Sequence, residues 1–113
     1  MLESYGNVGN SKELVHFLHG NSLTPQSYDG ILREINKTNN VNIFYFRPLW
    51  TKEREPTFIN WDIFLDDYLL SIKDKKNIIG IGHSFGGNII LKAAMIYPEK
   101  FKKIILLDPT FFT

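Results

Sequence analysis

The feature that most constrains this chain is the alternation of short apolar runs with longer segments of helical period. Leu14 to Leu18, Val41 to Phe46, Asn77 to Ile81 and Lys103 to Leu107 are apolar or nearly so, and each is short. Runs of that length read as strands, and runs apolar on both faces read as strands covered on both sides. Between the first two, Thr24-Pro25 supplies an N-cap and a proline at the first helical position. Tyr28, Ile31, Leu32 and Ile35 follow at helical spacing, and Asn39-Asn40 punctuates. Trp61, Phe64, Leu65, Tyr68, Leu69 and Ile72 trace one face of a second helix, with Lys73 to Lys76 as its basic last turn. Phe85 to Tyr97 is apolar nearly all round, the pattern of a helix buried on more than one side, and Pro98 ends it. Strictly alternating strands and helices predict an α/β fold, a three-layer sandwich with a parallel sheet of four strands and helices on both faces. The expected order places Leu14–Leu18 between Val41–Phe46 and Asn77–Ile81, with Lys103–Leu107 outside the latter.

Composition narrows the class of function. At 113 residues, 43% hydrophobic and 22% charged, the chain is a single globular domain and not a disordered or low-complexity one. Thirteen Lys and Arg against twelve Asp and Glu leave a net charge of +1, so no field recruits nucleic acid or an anionic membrane. The absence of cysteine removes disulfide scaffolds, Cys-based zinc sites and thiol nucleophiles. Met1 to Asn10 carries no apolar targeting segment, and no apolar run is long enough to cross a bilayer; a cytoplasmic protein is the expectation.

Chemistry enters at Gly82-His83-Ser84-Phe85-Gly86, a G-x-S-x-G match followed by Gly87. It falls between a predicted strand and a predicted buried helix, the context of a nucleophile elbow. A strand that reverses into a helix within a few residues holds Ser84 in a strained conformation with its hydroxyl exposed. Side chains two residues either side would collide with each other or with the neighbouring strand, and Gly82 and Gly86 remove those Cβ atoms. The new helix aims its first amides at the serine, which suits a developing oxyanion. His19-Gly20-Asn21, directly after the first strand, forms a loop able to present a backbone N–H to an acyl oxygen opposite the N–H of Phe85. The same residues read more plainly as a strand end.

With these motifs the chain resembles the N-terminal half of an α/β-hydrolase-fold protein of the serine-nucleophile type. The resemblance rests on Phe17-Leu18-His19-Gly20-Asn21, on Gly82 to Gly87, and on Tyr97-Pro98-Glu99-Lys100-Phe101 through Leu106-Leu107-Asp108-Pro109. Arg47-Pro48-Leu49-Trp50 is similar to a signature of one uncharacterised bacterial branch of that superfamily. The resemblance implies Ser84 as nucleophile, the amides of Phe85 and Asn21 as oxyanion hole, no cofactor, and a small-molecule ester or related acyl substrate. Family members are more than twice as long, and their catalytic histidine follows later strands. The implied reading is therefore a partial α/β-hydrolase fold over residues 1–113, truncated after its fourth parallel strand and inactive alone. An edge at Lys103–Leu107 left open in this way is expected to self-associate.

Competing readings stand beside these. His16 reads as a core residue, His19 as a loop-shaping one, and His83 as pointing away from Ser84; their spacing matches no metal site. Asp108 is either the acid that orients a histidine or a turn residue before Pro109. Trp50 and Trp61 either line an acyl pocket or anchor the irregular Arg47–Asn60 loop. Gly80-Ile81-Gly82 with Gly86 also forms a loosened dinucleotide fingerprint, and a non-catalytic α/β module is the remaining alternative.

Overall fold

The computed structural model describes residues 2–6, 14–20, 25–45 and 62–109. The Arg47–Asn60 loop, Trp50, Trp61, Thr24 and Asn21 lie outside the described residues. Strands β1 (Leu2–Tyr5), β2 (Leu14–Leu18), β3 (Asn40–Phe44), β4 (Ile78–His83) and β5 (Phe101–Leu107) form a single sheet. Helices α1 (Asp29–Asn36), α2 (Asp62–Ser71) and α3 (Phe85–Ile96) connect them. The strand order is β1-β3-β2-β4-β5, so the four expected parallel strands take the expected order. The sheet has one strand more than the sequence pattern predicted. Leu2–Tyr5 adds to β3 antiparallel, pairing Leu2 with Phe44 and Tyr5 with Val41. Its two larger side chains, three residues apart, fall on opposite faces, one in each layer of the core.

Each buried strand feeds both layers because successive side chains alternate across the sheet. Val15, Phe17, Val41, Ile43 and Ile81 face α1 and pack with Leu32. Leu18, Phe44 and Ile78 face the other way, against Phe64, Leu65, Tyr68 and Ile72 of the α2 segment and Phe85, Ile89, Ile90 and Ala93 of α3. Full burial of one Leu, Ile or Phe side chain contributes about 1.5–3 kcal/mol, so this layer carries much of the stability.

Two helix ends depart from expectation. Pro25 opens a 3-10 turn over Pro25–Tyr28, and the α-helix begins only at Asp29. The Lys73–Lys76 cluster follows the end of α2 at Ser71; the cation at that terminus is Lys100, whose Nζ donates to the carbonyls of Ile72, Lys73 and Lys75 at 3.3, 2.9 and 3.2 Å. The carbonyls at the end of α2 are therefore bonded by a residue remote in sequence, the last of the 3-10 turn Pro98–Lys100 that leads into β5. Among the described residues, no helix is long and apolar enough to cross a membrane.

Candidate active site

The parallel register determines what meets at the C-terminal edge of the sheet. Leu18 pairs with Gly82, and His83 pairs with Leu107, so the segments leaving β2, β4 and β5 emerge side by side. Open α/β sheets gather their ligands at that edge.

A single residue, Ser84, separates the end of β4 from the start of α3. Its backbone sits at φ 54° and ψ −116°, a region that side-chain-bearing residues rarely enter and that costs on the order of 1–3 kcal/mol. Two hydrogen bonds hold it there: Ser84 N–H donates to the Leu107 carbonyl at 2.9 Å, and Asn88 N–H donates to the Ser84 carbonyl at 3.2 Å. The flanking glycines let the backbones close around it. A Cβ on Gly82 would lie 2.5 Å from the Gly86 carbonyl oxygen and from the backbone of Gly87. A Cβ on Gly86 would overlap the carbonyl groups of Leu18 and His19 in the neighbouring strand and loop. Gly87 packs against the Gly82 carbonyl and the Pro109 ring. Ser84 is half-buried, and among the described residues nothing hydrogen-bonds its hydroxyl.

The dinucleotide alternative fails on these contacts. The middle glycine of that fingerprint, Gly82 in this chain, clears space for a pyrophosphate. Here the space beside Gly82 and Gly86 is filled by protein backbone, and that beside Gly80 by the Ile90 side chain, 2.9 Å from where a Cβ would stand.

The loop after β2 is tied in place by hydrogen bonds. His19 Nδ1–H donates to the Gly20 carbonyl at 2.8 Å, and Gly20 N–H donates to the Tyr28 hydroxyl at 2.9 Å. Burial pushes the His19 pKa below its ordinary value, against the opposing effect of its bond to Gly20. The Tyr28 hydroxyl also lies 2.8 Å from His83 Nδ1, so the His83 ring is directed to the α1 side of the sheet. His16 is fully buried on β2, 3.1 Å from the Tyr68 hydroxyl. Burial, with a smaller contribution from the Lys75 charge, lowers its pKa to about 4. Burial likewise pushes the Tyr68 phenol well above its usual range. None of the three histidines is hydrogen-bonded to Ser84.

Asp108 lies exposed one residue past β5 at φ 46°, a left-handed conformation that aspartate tolerates better than most residues. It shares the edge with Ser84, and its turn delivers Pro109 onto Gly87. No group of three or more His, Asp or Glu able to hold a metal ion occurs among the described residues. The contribution of Tyr28 was not visible in the sequence, where it reads as one more apolar residue at helical spacing; its partner His83 stands 55 positions away.

Comparison with known proteins agrees with this architecture. The model of the alpha/beta hydrolase fold family matches residues 47–113. The type I acyl-CoA thioesterase mpaH of Penicillium brevicompactum is 28% identical over 109 residues, covering 80% of this chain and 25% of that protein. Among solved structures, a hydrolase from Pseudomonas aeruginosa PA01 superposes with a TM-score of 0.80 at 16% identity, over 99% of this chain and 42% of that one. An epoxide hydrolase from Bacillus megaterium superposes at 0.75 with 21% identity, over 96% and 38%. This chain thus spans well under half the length of these relatives.

Proposed function

As the chain belongs to the alpha/beta hydrolase fold family, we propose that it is a serine hydrolase in which Ser84 attacks an ester or related acyl substrate and forms an acyl-enzyme. The observation that carries this reading is the backbone of Ser84, held at φ 54° between β4 and α3 by glycine contacts that admit no Cβ. A strained serine at such a turn serves as a nucleophile elbow, presenting Oγ at the sheet edge. Attack forms the Oγ–acyl bond, the acyl–leaving-group bond breaks, and the hydroxyl proton leaves to base or solvent.

The oxyanion that develops in between needs N–H donors already in place. Phe85, as the first residue of α3, supplies one from the helix N-terminus. The resemblance to this family implies the amide of Asn21, outside the described residues, as the second donor; the Gly20 amide before it donates to Tyr28. Asp108 serves its turn in preference to acting as the acid. The thioesterase relative favours a thioester among acyl substrates.

None of the three histidines is hydrogen-bonded to Ser84, so among the described residues no histidine stands in place as its general base. Loss of the triad costs on the order of a millionfold in a serine protease. A typical turnover of about 10 per second then falls to about one per day. The purified chain incubated for a day with an activated p-nitrophenyl ester should carry the acyl group on the peptide containing Ser84, read by mass spectrometry, and Ser84→Ala should carry none there. A Ser84 peptide that stays unmodified while other residues are acylated would overturn the reading.

A further inference from the structure

The two faces of the sheet are covered unequally. Among the described residues, α2 and α3 pack side by side on one face, while α1 stands alone on the other, over β2 and β3. The β4–β5 half of that second face forms an apolar groove of about 360 Å³. Strand alternation and register build its floor: Ile79 lies beside Lys103 and Ile81 beside Ile105, with Leu107 at the C-terminal end of β5. One turn apart on α1, Ile31 and Ile35 form its wall. Ile31 is 45% exposed and Ile105 40%, so both wall and floor offer apolar surface to water. Polarity is confined to the N-terminal end of the strands, where Lys103 and Asn39 stand. The Asn39 amide nitrogen is spent on the Ile35 carbonyl and the Thr38 hydroxyl, at 3.1 and 2.9 Å. Lys103 is the single charged residue among those described along the groove, and no described residue pairs its ammonium.

From this arrangement we propose that the groove binds a medium-chain fatty carboxylate. The carboxylate sits on the Lys103 ammonium, and the alkyl chain runs over Ile79, Ile81 and Ile105 towards Leu107. The charge pattern selects the ligand class, because a cation at the end of an apolar trough complements an anionic head on an apolar tail. Length sets the chain. From Lys103 to Leu107 the strand rises about 13 Å, the span of about ten extended carbons. An amphipathic helix about 10 Å across needs about 1,000 Å³ over the same length, so a helix overfills the groove. A second copy of this chain matches it poorly, because the exposed residues of its own unpartnered helix α1 include Arg33 and Glu34, the latter paired with Lys37 just beyond. The carboxylate end lies at the opposite end of the sheet from Ser84. The site is therefore separate from the proposed nucleophile and does not rest on the hydrolase reading.

The test is a titration of decanoate, below its micelle concentration, into the 15N-labelled chain, followed by amide shifts. The amides of Ile79, Ile81, Lys103 and Ile105 should shift together and saturate. Full burial of a methylene is worth about fourfold in affinity, and a trough open on one side about twofold. Octanoate, nonanoate and decanoate should therefore tighten about twofold per carbon, and dodecanoate should gain little more because its tail leaves the groove. Lys103→Met keeps the apolar stem and removes the charge; it should weaken decanoate about threefold and leave 1-decanol unchanged. Ile105→Gln should weaken both ligands, and Ser84→Ala neither. If a variant fails to fold, the chain-length series on the wild type decides. Affinity that keeps rising through tetradecanoate marks unspecific partition and overturns the proposal. Shifts scattered over the surface overturn it too, as does 1-decanol binding the wild type as tightly as decanoate. A second copy seated in the groove would shift the same amides on dilution without ligand, and that result also overturns it. Loss of decanoate binding in Ser84→Ala overturns the separation from the nucleophile.

Discussion

Replacing Ser84 with glycine should make the protein more stable, because a side-chain-bearing residue held in strain is a cost that the fold bears. Ser84 sits at φ 54° and ψ −116°, where any Cβ is crowded against the backbone. Such conformations cost on the order of 1–3 kcal/mol in non-glycine residues. Glycine removes that cost but adds freedom to the unfolded chain, worth about 0.5–1 kcal/mol in the opposite direction. The serine hydroxyl is bonded to no described residue, so its loss subtracts little. The net expectation is a gain of about 1 kcal/mol for Ser84→Gly over Ser84→Ala, which keeps the Cβ and hence the strain. Urea unfolding followed by circular dichroism measures it. With a slope of about 1–3 kcal/mol per molar for a small domain, the midpoint should rise by about 0.5 M at unchanged slope. The melting temperature should rise by about 5 °C. A Ser84→Gly protein no more stable than Ser84→Ala would refute the argument that the turn is strained.

Other outcomes follow from the same contacts. His16 has a native pKa of about 4 against an ordinary value of 6.5, so between those values the unfolded chain binds more protons than the folded one. Stability should therefore fall as pH drops through that window, by about 3 kcal/mol; a His16→Leu variant with the same pH slope in urea titrations would contradict this. Gly86→Ala drives a methyl group into the backbone carbonyls of Leu18 and His19 and should cost about 3 kcal/mol or more, seen as a lowered thermal midpoint. A loss below about 1 kcal/mol would show that the strand and turn can separate. β5 is an edge among the described residues, with Ile105 40% exposed and Lys102 and Lys103 beside it. Light scattering should show concentration-dependent association that strengthens with salt as the lysine charges are screened; a monodisperse monomer at high protein concentration and high salt would contradict it.

Much of this was legible in the sequence, for reasons visible in the structure. Strands β2, β4 and the core of β3 are apolar on both faces because α1 covers one side of the sheet and α2 with α3 the other. The glycines around Ser84 were readable because a missing Cβ is a local requirement, and Gly82 and Gly86 meet it within five residues of chain. What escaped was whatever depends on a distant partner. Leu2–Tyr5 is too short to show a period, and becomes a strand only because β3 offers it an edge. Lys100 caps α2 across an intervening strand and helix, while the nearer run Lys73–Lys76 has the composition of a cap without the position. Tyr28 looks in sequence like any other helix-face aromatic, and its link from Gly20 to His83 exists only once β2 and β4 lie side by side.

The claim that Ser84 is the nucleophile is tested most directly by the site of covalent modification. The chain is incubated for a day with excess fluorophosphonate, digested and mapped by mass spectrometry. On the proposed reading Ser84 should react slowly yet ahead of the five other serines, Ser4, Ser11, Ser22, Ser27 and Ser71. A single phosphonyl adduct on the peptide containing Ser84, absent in Ser84→Ala, is the predicted result. Adducts spread evenly over the serines, or none at Ser84, would contradict the account.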